Sequence, residues 1–361
     1  MRANFTSLGF NKERNLKTTR AATSLVAAIV VSISAIPSSA DDVAAFYKGK
    51  TISAIIGYPP GGGYDVYMRA LARHIGRHIP GNPNVVPRNM PGAGSLVAAN
   101  HLYNAAAKDG TVIGIFASST LFSVKLGETK ANFEIDKFTW IGNMDQTIGT
   151  CVVHRRANIA SFQDLFARKA IFGASGPSAV NSIHVRGFNA LLGTHIQIVN
   201  GYPGSTDVLL AMSRGEADGG CGFALSSLKT TRRQDWESGE IRAIIQTGFE
   251  KSAELKDVPH VYDYAKAEDD KKVMHLLYGT HALGRPISAP PGVPADRVKA
   301  LRDAFSATMK DPMFLAEAGK QDMPIDPWAG DQTEQVIAQF TSYPPAVYNR
   351  ARNVLDATEA K

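Results

Sequence analysis

Four glycine-rich loops constrain the fold of this chain more than any other sequence feature. Each loop follows a strand-like apolar run and precedes a segment with helical periodicity. They are "GYPPGGGYD" (57–65), "MPGAGS" (90–95), "GASGPSAVN" (173–181) and "NGYPGSTD" (200–207). A strand, a tight loop and a helix, repeated along a chain, predict an α/β fold with parallel strands and helices packed on the faces of the sheet.

The strand–loop–helix pattern occurs twice, which predicts two domains. Strand-like runs such as "TISAIIG" (51–57) and "TVIGIFASS" (111–119) belong to the first occurrence, and the pattern restarts at "TCVVHRR". "MHLLYGTHALGRP" (274–286) resembles a strand that returns to the first unit. We therefore expect domain 1 at 41–147 and 275–361, with domain 2 at 148–274 inserted into it. The two crossings between the domains would form a hinge.

The first forty residues have the pattern of a secretory signal peptide. Basic residues between 12 and 20 precede an apolar run at 25–36, and "PSSA" ends at Ala40 with small residues in the cleavage positions. We expect cleavage near Ala40 and a periplasmic location. The whole chain has 39 basic and 33 acidic residues, and removing this segment leaves 34 against 32. That balance gives no reason to expect nucleic acid as a partner.

Two cysteines, Cys151 and Cys221, remain beyond the predicted signal peptide. In an oxidising compartment the pair could form a disulfide, but both lie in apolar, strand-like segments where buried free thiols are common. The sequence leaves both states open. No Cys/His cluster suggests a metal, and no cofactor is predicted. His74 and His78 lie four residues apart on a predicted helix, and we expect both to face solvent.

The glycine loops favour anion binding over catalysis. In open α/β sheets, ligands bind outside the carboxyl ends of the strands, where helix N-termini offer free N–H groups and partial positive charge. "GASGP" has Pro177 where a nucleophile elbow requires glycine, and "GYPPGGGYD" lacks the Lys-Ser/Thr pair of a nucleotide-binding loop. Asp65, in the first turn of a predicted helix, could act as a base or as a cap that orders the loop. We predict that the protein is not an enzyme.

At these loops the chain resembles the Bug-type periplasmic receptors of tripartite tricarboxylate transporters. The resemblance rests on five motifs in order along the mature chain: "YPPGGGYD", "RNMPGAGS", "KDGTVIGIFASS", "NGYPGSTDVLLAMSRGEAD" and "SAPPGVPADRV". Met90 and Ser95 depart from the usual arginine and glycine of the second motif. The resemblance implies a two-domain periplasmic-binding-protein fold of type II, with two doubly wound sheets joined by two crossing strands.

The resemblance also implies a function and a site. A small carboxylate would bind in the cleft between the domains, held by backbone amides and ordered waters rather than by a charged side chain. The hinge would close over it, and the monomeric receptor would deliver it to a permease with large and small integral-membrane subunits. The candidate ligand-binding residues are Tyr58, Gly62, Gly63, Asp65, Gly92, Ala93, Ser95, Ser118, Ser119, Ser175, Ser178, Tyr202, Gly204, Ser205 and Asp218.

Two alternatives to transport stay open from the sequence. A ligand-sensing periplasmic subunit of a signalling system would share the fold, and a secreted α/β hydrolase would require a nucleophile with a positioned base. Because backbone amides recognise a carboxylate without reporting what is attached to it, the sequence does not name the ligand.

Overall fold

The computed structural model of the protein describes residues 39–122, 124–127 and 130–357. The predicted signal peptide therefore lies outside the described residues, apart from its last two positions. The helices are α1 (Ser39–Tyr47), α2 (Gly63–Ile75), α3 (Leu96–Asn104), α4 (Ser118–Phe122), α5 (Val180–Gly187), α6 (Ser205–Arg214), α7 (Leu225–Thr231), α8 (Arg233–Glu237), α9 (Glu268–Tyr278), α10 (Ala295–Thr308), α11 (Pro312–Lys320), α12 (Gly330–Thr341) and α13 (Pro345–Asp356). The strands are β1 (Thr51–Ile56), β2 (Asn84–Asn89), β3 (Val112–Ile115), β4 (Thr139–Asn143), β5 (Gly149–His154), β6 (Ala170–Ala174), β7 (Ile196–Asn200), β8 (Gly219–Ala224), β9 (Ile241–Thr247), β10 (Pro286–Ala289) and β11 (Trp328–Ala329).

These strands form two sheets, and each sheet has a parallel part and an antiparallel part. The first sheet has the order β11-β4-β10-β3-β1-β2, and the second has the order β7-β6-β8-β5-β9. The parallel strands β2-β1-β3 and β7-β6-β8 carry the predicted strand–loop–helix units. Strands β10, β4, β11, β5 and β9 pair in the antiparallel sense. The predicted two-sheet α/β fold class is confirmed, although the expected parallel sheets are mixed.

Two predicted strands were wrong in part. Residues 274–286, expected to return as a strand, contain the end of α9, a 3₁₀ turn at Gly279–Ala282 and only the first residue of β10. Val273, Met274, Leu276 and Leu277 are buried on a helix, and such apolar clusters fit either structure when read by periodicity alone. The predicted strand at 111–119 ends at Ile115, and Ser118 begins α4 instead.

The chain crosses twice between the sheets, first at residues 144–148 and again at residues 279–285, and one buried side chain ties the crossings together. Asn143, at the end of β4, donates through Nδ2 to the backbone oxygens of Asp145 (2.9 Å) and Ala282 (3.3 Å). Its Oδ1 accepts from the backbone N–H of Arg285 at 2.8 Å. Gly284 allows the close approach, because a Cβ there would lie 1.9 Å from Oγ1 of Thr147. The two crossings therefore run side by side as one hydrogen-bonded unit.

Apolar side chains from both sheets share the largest core cluster. It includes Phe116 and Trp140 from the first sheet region, Phe172 from the second, and Tyr278 from α9. The rings of Phe188 and Tyr278 stack with centroids 5.0 Å apart. Two smaller clusters lie under one sheet each. Each sheet with its helices forms one half of the molecule. Because burial of apolar surface dominates folding energetics, the shared cluster joins the two halves by packing in addition to the covalent crossings.

A disulfide joins Cys151 on β5 to Cys221 on the neighbouring antiparallel strand β8. The register shifts between Thr150 and Val152, so that β8 carries one extra residue opposite Cys151. Gly222, one of the two residues in this shift, adopts the left-handed conformation at φ 72°, which favours glycine. The bond closes a 70-residue separation along the chain. The sequence left this pairing open because it did not show that the two strands are neighbours.

We predict that replacing both cysteines with alanine lowers the free energy of unfolding by about 2–4 kcal/mol, because the cross-link restricts the unfolded chain. Urea unfolding with and without a thiol reductant measures the effect. The reductant should weaken the wild-type protein and leave the double variant unchanged. Two free thiols in unfolded, unreduced wild-type protein would contradict the prediction.

Ion pairs fasten α2 to α11, far from it in sequence. His74 is buried, and its Nε2 lies 2.7 Å from Oε2 of Glu317, whose other oxygen binds Arg73. In the 3₁₀ turn that follows α2, His78 and Arg77 both bind Oδ2 of Asp311, the residue directly before α11. The expectation that His74 faces solvent was wrong, because its acidic partner comes from a distant helix. Hydrogen bonds from Arg73 and then His74 lower the pKa of Glu317 to about 2.

We predict that Glu317→Gln destabilises the protein at pH 7 by at most about 1 kcal/mol, and that the difference from wild type shrinks steadily as the pH falls below about 4. A carboxylate whose folded pKa is depressed contributes stability above its unfolded pKa of about 4.3, and this contribution is lost as pH falls toward 2. Urea unfolding from pH 7 to pH 3 measures the trend, with the exposed Glu216→Gln as control. A pH-independent difference would contradict this origin.

Candidate functional site

The first glycine loop is ordered by Asp65, in the first turn of α2. Its Oδ2 accepts from the backbone N–H of Gly61 at 3.0 Å, and its Oδ1 accepts from Arg69 and Asn89, each at 2.8 Å. Asn89 also donates to the carbonyl oxygen of Tyr58 at 2.8 Å. These are the contacts of a residue that orders a loop, and Asp65 itself is buried beneath it.

The second glycine loop, residues 92–95, packs against the loop at the start of α5. A Cβ on Gly94 would lie 2.6 Å from Cβ of Ala179. Ser178 Oγ donates to the carbonyl oxygen of Ala93 at 3.4 Å. Ser95, at φ 77°, accepts from the backbone N–H of Ala117 at 2.9 Å. This loop therefore makes a contact between the two halves of the molecule.

The first loop meets the start of α6 from the other half. A Cβ on Gly62 would lie 3.6 Å from Ser205 Oγ, and Thr206 Oγ1 donates to the carbonyl oxygen of Gly61 at 3.4 Å. Both helices begin at this point, α2 at Gly63 and α6 at Ser205. Their N-terminal amides and partial positive charges are brought to one place, which favours an anion there.

A cavity opens beside this meeting point, with about 690 Å³ of empty space including its mouth. Loops and helices of both halves contribute to its wall. The lining residues are Tyr58, Pro59, Gly62, Gly63, Tyr64, Ser118, Ser175, Val180, Asn181, Gly204, Ser205, Thr206, Gly222, Phe223, Ala224, Ser227, Gly284 and Arg285. The wall mixes aromatic rings, hydroxyl groups and bare backbone, as small-molecule sites do.

The sequence-predicted site residues divide into two groups. Those that the structure brings together at the cavity are Tyr58, Gly62, Gly63, Ser118, Ser175, Gly204 and Ser205. Those placed elsewhere are Asp65, Gly92, Ala93, Ser95, Ser119, Ser178, Tyr202 and Asp218. Tyr202 packs against Gly173, and Asp218 accepts from the backbone N–H of Ile171 at 2.8 Å.

Arg285 is the wall residue that the sequence reasoning missed. It is 2% exposed and lies on the second crossing, directly before β10. Nη2 donates to Ser227 Oγ at 2.6 Å, and Nη1 donates to the carbonyl oxygen of Gly284 at 2.6 Å. The guanidinium carbon stands 5.0 Å from the ring centre of Tyr64 and 4.5 Å from that of Tyr67. Among the described residues that line the cavity, Arg285 carries the one charged side chain.

Asp145, buried on the first crossing, is the acidic group that acts on Arg285 through space. Its Oδ2 accepts from Thr147 at 2.8 Å and Ser226 at 3.1 Å. Burial raises the pKa of Asp145, and the charge of Arg285 opposes that rise. Within the described ranges, no carboxylate comes within ion-pair distance of the Arg285 guanidinium.

The tyrosines of the wall are neutral hydrogen-bonding groups. Burial raises the pKa of Tyr58 well above its usual value, and burial also raises the pKa of Tyr64. Their rings stack 5.1 Å apart. In the part of the chain that the structure describes, no group of three or more His, Cys, Asp or Glu side chains could hold a metal ion. Across the same residues, every helix is too short or too polar to cross a membrane.

A weak sequence signal for Arg285 does exist. In "HALGRPISAP" a single arginine interrupts an apolar run that leads into a strand, and charged residues are almost never fully buried unless paired. Ser227 gave no such signal, because serine is ordinary in a helix such as α7.

Two mixed sheets joined by two crossings, with a cavity lined by residues near both sheets, place this chain in the fold class of the two-domain periplasmic binding proteins. Residues 68–347 match the family model described as tripartite tricarboxylate transporter family receptor. The chain therefore belongs to this receptor family, and the resemblance seen in its loops is confirmed.

Individual proteins resemble this chain in sequence or in fold. A UPF0065 protein from the gbd 5' region of Cupriavidus necator is 24% identical over 325 residues, covering 88% of this chain and 90% of that protein. A solved periplasmic transporter is 23% identical, with a TM-score of 0.65 and coverage of 86% and 97%. MatC from Rhodopseudomonas palustris with bound malate is 17% identical, with a TM-score of 0.65 and coverage of 85% and 99%. An R. palustris protein with adipate is 17% identical, with a TM-score of 0.67 and coverage of 85% and 97%.

We predict that Gly63→Ala destabilises the protein by about 1–3 kcal/mol, because the new Cβ would lie 2.0 Å from Ser227 Oγ and 3.0 Å from Arg285 Nη2. Gly319→Ala on α11 is the matched control, since nothing lies within 4 Å of its Cβ position. It should be neutral or stabilise by up to about 1 kcal/mol through helix propensity. Equal urea midpoints for the two variants would show that the space beside Gly63 is not filled as described.

Proposed function

We propose that this protein is an extracytoplasmic receptor that binds a small carboxylate in the cavity and delivers it to a tripartite tricarboxylate-type permease. The observation that carries the proposal is the convergence of the α2 and α6 N-termini beside Arg285 in one wall. Helix N-termini and a guanidinium both favour an anion. Malate in MatC and adipate in the R. palustris relative are carboxylates bound by proteins of the same fold.

The proposal includes two domains, expected at 41–147 with 275–361 and at 148–274, which close about the two crossings. The second boundary falls inside α9, so we place the moving joint at the crossing segments themselves, residues 144–148 and 279–285. A ligand that contacts both halves favours the closed arrangement, because it interacts with both walls only there.

The receptor role also implies a location, an oligomeric state and a partner for the protein. The protein would be exported by its N-terminal segment, cleaved near Ala40, and would work as a monomer in the periplasm. Its partner would be the integral-membrane permease with large and small subunits. The ligand would leave unchanged, since a receptor binds and releases without catalysis.

We predict that a carboxylate stabilises the purified protein against heat. A ligand at about 100 times its dissociation constant should add about 2.7 kcal/mol, which raises the melting temperature by several degrees. Thermal unfolding against a panel of mono-, di- and tricarboxylates measures the effect, with neutral amides of the same acids as controls. Before the screen, the protein is unfolded and refolded, and the released small molecules are analysed, so that a retained ligand does not hide the shift.

The permease role has its own test. Deleting the gene should abolish uptake of the labelled ligand by intact cells, and restoring it should recover uptake. Binding without any effect on uptake would instead support the sensing alternative. The absence of binding to any carboxylate by the refolded protein would overturn the proposed function.

A further inference from the structure

The guanidinium of Arg285 has unused donors next to the cavity. Arginine carries five N–H donors, and the structure assigns one from Nη2 to Ser227 and one from Nη1 to Gly284, while Nε is buried with no partner among the described residues. The guanidinium lies over the aromatic rings of Tyr64 and Tyr67, and neither ring carries a negative charge that would neutralise it. A buried cation with unused donors is costly unless an anion completes it.

The position of Arg285 places this charge beside the N-terminus of α2, in the wall of the cavity. A Cβ on Gly63, the first residue of α2, would lie 3.0 Å from Nη2, so the guanidinium lies against the N-terminal turn of that helix. The backbone of Arg285 is fixed by Asn143, and Ser227 holds Nη2 from the other half of the molecule. Neither the crossing nor the side chain can turn away without breaking these bonds.

We propose that Arg285 binds the carboxylate of the ligand directly and that the site selects organic acids that lack an ammonium group. This inference rests on the proposed function and narrows its ligand class. The charge of Arg285, its unused donors and its position beside α2 favour direct binding of a carboxylate. The rest of the wall disfavours an ammonium group.

No aspartate or glutamate occurs among the described residues that line the cavity. The ammonium group of an α-amino acid would therefore lack a carboxylate partner in the wall and would lie near a guanidinium of the same sign. Burying an unpaired charge is strongly unfavourable, and a like charge nearby adds to the cost. An acid that carries hydrogen or a hydroxyl at the same carbon avoids both penalties.

Pairs of ligands test carboxylate binding and the selection against an ammonium group on the wild-type protein. Calorimetry compares succinate with L-aspartate, and 3-phenylpropionate with L-phenylalanine, which differ only by the ammonium group. It also compares the best acid with its neutral carboxamide. In each pair of which a member binds, we expect the affinity for the ammonium-free acid to be higher by about 30-fold or more. We expect the affinity for the best acid to exceed that for its amide by about 100-fold. Equal affinities within the acid–ammonium pairs would overturn the selection.

Variants then test whether the preference for the acid over its amide depends on Arg285. Arg285→Gln should weaken binding of the acid by about 100-fold while leaving the affinity for its amide nearly unchanged, so the acid-to-amide ratio collapses. A purely structural role would lower both affinities together and keep the ratio. Arg285→Lys should recover part of the preference, because it restores charge without the planar fork. Arg302→Gln, which removes a guanidinium bound to Trp140 and Glu334, is the matched control.

Asp145→Asn should not weaken acid binding, in contrast to Arg285→Gln. Removing the buried acid near Arg285 leaves more of the guanidinium charge for the ligand, so acid binding should tighten or stay unchanged. This measurement does not depend on whether Arg285→Gln folds. Weaker acid binding by Asp145→Asn, at unchanged thermal stability, would overturn the role of the guanidinium.

Failure of this inference is separable from failure of the proposed function. If the wild-type protein binds a carboxylate and Arg285→Gln binds it equally well, the direct contact is wrong and the receptor role stands. If the refolded wild-type protein binds no carboxylate, both are wrong.

Discussion

The alignment of the two chain crossings is the constraint on which the site depends. Asn143 binds both crossings, and Met144 donates from its backbone to the carbonyl oxygen of Arg285 at 3.1 Å. A buried amide that satisfies backbone groups on two segments fixes their register, because leaving any of them unpaired would cost about 1–3 kcal/mol. The segment that links the sheets is thus also the segment that presents Arg285 to the cavity.

This arrangement places a charge where the two halves meet. Arg285 lies on a crossing, touches Tyr64 and Tyr67 of α2, and binds Ser227 of α7. A side chain in contact with both halves responds to any change in their separation. A ligand held by this guanidinium would therefore act on the joint itself as well as on the facing walls, and would couple binding to closure through one residue.

The sequence predicts local features of this molecule better than distant ones. Strand–loop–helix units around Gly63 and Ser205 were predictable, because glycine, apolar periodicity and helix starts are encoded within a few residues. The pairing of His74 with Glu317 was not, since the partners are 243 residues apart. The antiparallel halves of the sheets and the wall position of Arg285 depend in the same way on how distant segments meet. Apolar residues of α9 fitted a strand equally well, because a short apolar run does not distinguish the two structures.

The glycines of the first loop also have a second physical explanation. Glycine at a helix N-terminus is usually taken to expose backbone amides to a ligand. At Gly63, however, the missing side chain leaves room for Ser227 and the Arg285 guanidinium, which would collide with a Cβ. At Gly284 the missing side chain leaves room for Thr147 and the other crossing. Both glycines thus leave space for other groups of the protein. In the first loop, that space is filled by Ser227 and by an arginine that is distant in sequence.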